Sequence, residues 1–331
     1  MNILVASSNL KTTGLGTFIY TQVTELLKQE HNVDVTTLYS GKVGDRLSES
    51  FHSCITKKLR VIGIDDCKES YDLILTNQND ITDEIVKRDV KGRMIFTVHG
   101  VAYDWNDCPS EDNLKRIDKV VSVSTRIKNL LSGYEDSPFF DWDRKIDSVV
   151  IKTPIDCERF SPAEDEGPHW GIIKPRVLSM VRGEEANKIL QDACQALDYE
   201  LVGWQKPVDY IFSEHDEDKV VFNVEDKINN VDIVVGLGRI IYETLSCGKN
   251  ALIFDDREYQ GNLGDGMVTP DNITSSCLRY NCSGRFLCKS YDVESMIDEL
   301  KLYNPNNGIF FRNFILENFD VVDRIEEYLN L

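Results

Sequence analysis

Short apolar runs alternate with amphipathic segments along most of the chain, and this alternation restricts the possible folds more than any other feature. Asn2–Ala6 has the pattern of a strand, and Leu15–Lys28 carries apolar side chains at helical spacing. The same order returns later, with a strand pattern at Arg176–Val181 and a helical one at Glu184–Leu197. Strands that alternate with helices are typical of parallel sheets covered on both faces. We therefore predict an α/β protein.

The length of the chain predicts two domains. Its 331 residues exceed what a single hydrophobic core usually supports. Residues 154–175 are rich in proline and acidic side chains, separate the two series of alternating segments, and are typical of a linker. We predict Rossmann-like domains over residues 1–160 and 170–305, and we expect the helices of residues 306–331 to pack back on the first domain.

Charge and cysteine content narrow the class of partner. The net charge is −19, and the acidic excess lies mainly in residues 161–331. An acidic surface repels phosphate backbones and anionic lipid heads, so we predict no nucleic-acid binding and at most peripheral contact with a membrane. The nine cysteines form no CxxC pair, which disfavours a zinc site and favours a reducing, cytoplasmic location. No apolar run approaches the roughly 18 residues of a membrane-spanning helix.

Two glycines and a histidine are the candidate site residues of the N-terminal half. Gly14 and Gly16 lie between the first strand and the first helix, where backbone N–H groups and the helix dipole can bind an anion. His99 follows the apolar run Met94–Val98, so it would lie at the carboxyl end of a strand, within reach of a phosphate or a sugar hydroxyl. The alternatives are a tight turn without a ligand for the glycines and a satisfied core side chain for His99.

Arg182 and Lys188 are the candidate cations of the C-terminal half. Arg182 follows the strand at Arg176–Val181, and Lys188 lies in the helix after it. A guanidinium fork and an ammonium point charge suit a diphosphate. The alternative is a pair of surface charges, with Glu184 or Glu185 as the partner of Arg182.

The segment Asp232–Asp255 carries the strongest signal. A strand runs into a turn that contains Gly236 and Gly238, and a short helix with Arg239 and Glu243 follows. Glycine amides at a helix start can face a charged or hydroxylated group. A carboxylate at the depth of Glu243 can accept the two vicinal hydroxyls of a ribose. The alternative is a weak surface pair between Arg239 and Glu243 at i,i+4 spacing.

In this order and spacing, these segments resemble the retaining glycosyltransferases of family 4 (glycosyl transferases group 1). Val121–Ser124 is similar to the family's VVSVS strand, and Ile155–Pro162 is similar to the GIDxxRFxP sequence that begins its linker. The resemblance implies the GT-B fold, which has two doubly wound Rossmann-like domains facing a central cleft. It places the acceptor on the side of the first domain and the nucleotide sugar on the second.

The resemblance also implies roles for the candidate residues. His99, Arg182 and Lys188 would be catalytic. Glu243 would match the second glutamate of the family's E-x7-E motif, which holds the nucleotide ribose. The remaining members of the nucleotide-sugar site would be Gly14, Gly16, Gly236, Gly238 and Arg239.

Two positions depart from the family pattern. Val235 stands where the first glutamate of E-x7-E would fall, and Asn187 stands where the lysine of the basic pair is expected. A third segment, Asp141–Asp143, superficially resembles the DxD metal motif of a different transferase fold, although no strand leads cleanly into it. We predict that the protein requires neither a metal nor another cofactor.

The activity implied is transfer of a sugar from a UDP- or GDP-sugar to a hydroxyl of a glycan, a lipid-linked molecule or another acceptor, with retention at the anomeric carbon. Because Val235 departs from the motif, two alternatives stay open. One is a non-catalytic GT-B-like module that binds a nucleotide sugar or supports a partner enzyme. The other is a GT-B sugar-nucleotide epimerase. The sequence does not determine the base, the sugar, the acceptor or the oligomeric state.

Overall fold

The computed structural model describes residues 1–11, 13–52, 58–100, 107–135, 145–163, 174–202, 224–257 and 261–331. Within these residues the chain divides into two compact units. The first unit comprises Met1–Pro154 together with Val321–Leu331, and the second comprises Ile155–Asp320. Each unit has its own sheet.

Strands and helices alternate in the first unit. In chain order they are β1 (Asn2–Asn9), α1 (Gly14–Lys28), β2 (Asn32–Tyr39), α2 (Lys42–His52), β3 (Leu59–Ile62), β4 (Ser70–Thr76), α3 (Asn79–Lys87), β5 (Lys91–Val98), α4 (Glu111–Leu114), β6 (Lys119–Ser122), α5 (Thr125–Ser132) and β7 (Val149–Val150). The sheet order is β3-β2-β1-β4-β5-β6-β7, and the strands pair in parallel. The order reverses between β1 and β4, which makes the sheet doubly wound and places a topological switch point there.

The burial of β1 fits its position as an interior strand of this sheet. Its residues Ile3–Ala6 have no exposed area, as expected for a parallel strand that is covered on both faces. The core on one face includes Leu4, Ala6 and Ile74. Apolar side chains on both sides of a strand therefore direct helices to both faces of the sheet.

The second unit repeats this alternation over a shorter sheet. Its elements are β8 (Arg176–Ser179), α6 (Glu184–Ala196), β9 (Glu200–Val202), α7 (Val224–Asn229), β10 (Ile233–Gly236), α8 (Arg239–Ser246), β11 (Asn250–Arg257), β12 (Gly261–Met267), a π-helix (Thr274–Arg279), β13 (Lys289–Ser290), α9 (Val293–Leu300) and α10 (Gly308–Phe319). The sheet order is β13-β12-β11-β10-β8-β9. The four strands from β11 to β9 pair in parallel, whereas β12 and β13 are antiparallel additions at one edge.

Successive side chains of β10 enter two different cores. Ile233 and Val235 pack in the cluster beneath α6 and α9, whereas Val234 packs in the cluster beneath α8 and α10. All three are completely buried. Val235, the position that departs from the family motif, is therefore a core residue in this chain. A glutamate there would place a carboxylate among apolar side chains, at a large cost in solvation.

The last two helices of the chain belong to different units. α10 lies in the second unit and packs on α8, whereas the last helix, α11 (Val321–Asn330), lies in the first unit and packs on α1. Tyr328 of α11 is buried, and its hydroxyl lies 3.1 Å from Thr97 Oγ1 in β5. Of the helices in residues 306–331, α11 thus belongs to the first unit and α10 to the second.

The DxD-like segment Asp141–Asp143 and residues 164–173 of the predicted linker fall outside the described residues. Within the ranges given above, no helix combines the length and the apolar character needed to cross a membrane.

Candidate functional site

His99 lies directly after β5 and is held from two sides. Its Nε2 lies 2.7 Å from Oδ1 of Asn77, which follows the neighbouring strand β4. The ring also makes an edge-to-face contact with Phe18 of α1, with the ring centroids 4.5 Å apart. The predicted strand-end position of His99 is therefore observed, and the ring is half-buried. Sequence analysis missed Asn77, although a polar residue after an apolar strand is a usable signal.

Gly14 and Gly16 both lie in the first turn of α1, but their surroundings differ. The Gly16 amide donates to Oγ1 of the N-cap residue Thr13 at 3.2 Å. A Cβ at Gly16 would lie 1.9 Å from the carbonyl oxygen of Lys11, whereas a Cβ at Gly14 would meet nothing within 4 Å. Gly16 therefore allows the close approach of two backbone segments, and Gly14 borders open space at a helix N-terminus.

This contrast predicts different effects of alanine at the two glycines. Gly16→Ala should lower the free energy of unfolding by about 3 kcal/mol, because the new methyl group meets backbone that cannot move aside easily. Gly14→Ala should change it by less than about 1 kcal/mol. Urea unfolding followed by circular dichroism measures both. Equal effects of the two substitutions would contradict the packing described for this turn.

Arg182 follows β8 and is bound to Asp255, a residue of β11. The backbone N–H of Arg182 donates to Asp255 Oδ1 at 2.6 Å, and Nε donates to Oδ2 at 3.2 Å. Asp255 is 3% exposed, whereas the Arg182 side chain is 36% exposed. The partner of Arg182 is thus Asp255, and not Glu184 or Glu185 as in the alternative of a surface pair. This contact crosses the end of β10, since β10 lies between β8 and β11.

Asn187 and Lys188 lie on different sides of α6. Asn187 is buried: its Nδ2 donates to the carbonyls of Val181 and Gly183, and its Oδ1 accepts from Ser179 Oγ. Lys188 is exposed one residue further along, a turn of about 100° on a helix. Asn187 therefore ties the end of β8 to α6, and this structural role explains an amide where the family pattern has a lysine.

The turn between β10 and α8 contains the predicted glycines Gly236 and Gly238. Gly238 has a φ of +70°, in the left-handed region that favours glycine. Its amide donates to the carbonyl of Cys282 at 2.8 Å. α8 begins at Arg239, so its first backbone N–H groups lie next to the end of β10. Arg182, Asp255 and this turn together form the carboxyl edge of the second sheet.

Arg239 and Glu243 form an ion pair inside the protein. Arg239 Nε donates to Glu243 Oε1 at 2.7 Å, and the two side chains are only 9% and 8% exposed. The i,i+4 contact was considered as a pair at the surface, and its burial was not anticipated. A second pair lies nearby, in which Arg159 Nη2 contacts Glu225 Oε2 at 2.8 Å. Arg159 belongs to the segment Ile155–Pro162, which resembles the start of the family's linker.

Burial governs the ionisation of the Arg239–Glu243 pair. It raises the pKa of Glu243, and the positive charge of Arg239 opposes that shift. It also lowers the pKa of Arg239, and Glu243 opposes that shift. Both shifts have one cause, since the removal of water disfavours each charged form. Each charge therefore depends on its partner.

No metal-binding arrangement is present among the residues that the structure describes: no group of three or more His, Cys, Asp or Glu side chains is placed to hold an ion. The site chemistry visible in these residues consists of cations, backbone amides and carboxylates paired with arginine.

Comparison with known proteins gives a match in structure and none in sequence. No protein-family model matches the chain, and no curated protein matches it. HepE from Anabaena, crystallised in complex with UDP-glucose, matches with a TM-score of 0.61 and 13% identity, covering 100% of this chain and 98% of HepE. A glycosyltransferase from Rickettsia africae matches with a TM-score of 0.54 and 13% identity, covering 99% of this chain and 97% of that protein.

An alpha-glucosyltransferase in complex with UDP-glucose and DNA containing an abasic site also matches. Its TM-score is 0.54 at 12% identity, and the match covers 99% of this chain and 98% of that one. These likenesses establish the fold: the chain has the α/β architecture of GT-B glycosyltransferases. The fold class predicted from the sequence is thereby confirmed.

Proposed function

We propose that this protein is a retaining glycosyltransferase and that the carboxyl edge of its second sheet binds the diphosphate of a nucleotide sugar. The observation that carries the proposal is the position of Arg182, which follows β8 at the same edge of the sheet as the glycine turn that follows the neighbouring strand β10. Ligands of open α/β sheets bind at the carboxyl ends of the strands. Support also comes from the fold, since HepE and the alpha-glucosyltransferase share it and were crystallised with UDP-glucose.

The chemistry of such a reaction needs stabilisation of a leaving diphosphate. As the bond to the anomeric carbon breaks, negative charge grows on the departing phosphate oxygens, and fixed donors stabilise it best. A guanidinium has five N–H donors. Asp255 accepts from Nε and lies 3.2 Å from Nη2, so it orients the fork of Arg182 while other N–H groups bind phosphate. We propose that Lys188 adds a second, more mobile positive charge from α6.

The start of α8 supplies neutral donors to the same diphosphate. In this proposal the amides after Gly236 and Gly238 face phosphate oxygens, helped by the helix dipole. Arg239 holds Oε1 of Glu243, and Oε2 accepts the ribose hydroxyls. In the first unit, Gly14 offers a helix N-terminus and His99 an imidazole, and we propose that these groups bind part of the substrate. Protein groups thus supply the charge stabilisation, and the reaction as proposed uses no metal.

The acceptor in this proposal carries a hydroxyl and is a glycan, a lipid-linked molecule or another small compound. DNA is present in the complex of the alpha-glucosyltransferase, but the net charge of this chain, −19, opposes a polyanion. Arg60 and Lys68 could form a basic patch, yet both contact one buried carboxylate, Asp34, at 2.7 and 3.2 Å. Their charge is therefore partly neutralised within the protein.

The test is turnover of UDP-glucose and GDP-linked sugars with a panel of acceptors that includes DNA. Release of free nucleotide together with a glycosylated product, in which the anomeric configuration of the donor is kept, is the expected result. Binding without turnover would instead identify a nucleotide-sugar-binding module. Interconversion of the sugar nucleotide without release of nucleotide would identify an epimerase.

A further inference from the structure

We propose that Asn77 is a positioning residue that fixes His99 as the tautomer protonated on Nε2. The neutral ring then has Nδ1 as its hydrogen-bond acceptor. The inference depends on the contacts of Asn77 and on the chemistry of its amide. Only the expected effect of Asn77 on kcat rests on the proposed function.

The two residues lie at the ends of neighbouring strands. β4 and β5 pair in parallel, with Thr76 opposite Phe96, so the residues that follow them emerge at the same edge of the sheet. Asn77 is 2% exposed. A buried amide must have hydrogen-bond partners at both ends, because unsatisfied polar atoms are costly away from water. The partners of Asn77 therefore determine how its amide is oriented.

The amide has only one favourable orientation. Asn77 Nδ2 donates to the backbone carbonyl of Ala6 at 3.4 Å. A carbonyl oxygen only accepts, so a rotated amide would place Oδ1 against the oxygen of Ala6 and lose that bond. The orientation with Oδ1 toward His99 is the one that satisfies both ends.

This orientation determines the proton on the imidazole. Asn77 Oδ1 has no hydrogen to donate, and it lies 2.7 Å from His99 Nε2. A hydrogen bond at that distance requires a proton on Nε2. In the neutral ring Nδ1 is then the unprotonated nitrogen. The edge-to-face contact with Phe18 holds the ring plane, so both the orientation and the tautomer are fixed.

The tautomer decides what His99 can offer to a ligand. A neutral His99 donates to Asn77 and can accept at Nδ1 from a hydroxyl group. Donation from Nδ1 to a phosphate oxygen would need the doubly protonated imidazolium. Asn77 thus makes Nδ1 of the neutral ring an acceptor suited to a hydroxyl group, and not a donor suited to a phosphate oxygen.

The test is a nitrogen-15 spectrum of the protein labelled on its five histidines, recorded at a pH where His99 is neutral. A His99→Gln variant assigns the signals. The expected result is a slowly exchanging N–H on Nε2 and an unprotonated Nδ1. A protonated Nδ1 in the neutral ring would overturn the proposal.

Two variants of Asn77 separate the hydrogen bond from packing. Asn77→Leu keeps a similar volume but removes the acceptor, so the Nε2–H signal should exchange rapidly and be lost. Asn77→Asp keeps an acceptor oxygen, so the signal should remain. An Nε2–H signal that persists unchanged in Asn77→Leu would overturn the proposal. Circular dichroism confirms that each variant is folded.

Turnover of UDP-glucose then tests the positioning role. Asn77→Leu should lower kcat about tenfold, which corresponds to about 1.4 kcal/mol, and Asn77→Asp should recover part of this loss. Unchanged kcat in Asn77→Leu, with the Nε2–H signal lost, would overturn the positioning role and leave the tautomer assignment standing. Absence of turnover in the unmodified protein would instead contradict the proposed function, so the two failures are distinguishable.

Discussion

Replacing Glu243 with alanine is expected to lower the free energy of unfolding of the second unit by about 3–5 kcal/mol. The substitution removes the carboxylate that lies 2.7 Å from Arg239 Nε, and it leaves that guanidinium charged in a site with little access to water. Removing one member of a buried ion pair costs more than the net value of most pairs. Urea unfolding followed by circular dichroism measures the change.

A double substitution and an exposed pair are the matched controls. Arg239→Met combined with Glu243→Leu removes both charges of the pair and should recover most of the lost stability, because neither side chain then carries a charge that needs solvation. Asp298 and Lys301 form an exposed pair, with side chains that are 71% and 58% exposed. Asp298→Ala breaks this contact and should change the free energy of unfolding very little. If Glu243→Ala were as mild as Asp298→Ala, the description of a buried pair would be wrong.

If the proposed function holds, Arg182→Ala is expected to lower turnover of the nucleotide-sugar donor by about 100-fold or more. The reason is the loss of a fixed cation at the leaving diphosphate, since the removal of one preorganised donor in other enzymes costs about 10²–10³ in kcat. The free nucleotide released per unit time is the quantity to measure. Arg182→Lys should recover only part of the rate, because an ammonium group lacks the fork that Asp255 orients.

Arg176 provides a matched control for Arg182. It begins the same strand, its side chain is also 36% exposed, and it too contacts a carboxylate, that of Glu200 at 3.6 Å. It lies at the amino end of β8, away from the carboxyl edge. Arg176→Ala should therefore leave turnover within about twofold of the unmodified protein. If Arg176→Ala and Arg182→Ala lowered turnover equally, the position of Arg182 at the carboxyl edge of the sheet would not explain its effect.

The alternating elements of the fold could be predicted from the sequence, because the apolar pattern records which faces of an element are buried. The strand expected at Asn2–Ala6 is observed as β1, and the helix expected at Leu15–Lys28 is observed as α1. The hairpin of β11 and β12 was not anticipated. Gly261–Met267 contains three glycines and few apolar residues, so β12 depends on its pairing with β11 and not on its own pattern.

The candidate site was predictable in part. Its residues at strand ends follow from the general position of ligands in α/β sheets, and His99 and Arg182 are found there. The contacts of His99 with Asn77 and of Arg182 with Asp255 were not predictable, because these residues become neighbours only when non-consecutive segments pair in the sheet. The burial of Val235 was not predictable either. In a short strand of apolar residues, the sequence pattern does not show which side chains face which core.

Hydrogen–deuterium exchange with and without UDP tests the central claim most directly, because it locates the nucleotide without requiring knowledge of the acceptor. If the carboxyl edge of the second sheet binds the diphosphate, UDP will slow amide exchange in residues 181–185 and 236–240, and Arg182→Ala will weaken this protection. A rise in melting temperature shows that UDP binds at all. UDP that binds while exchange in both segments stays unchanged would contradict the account.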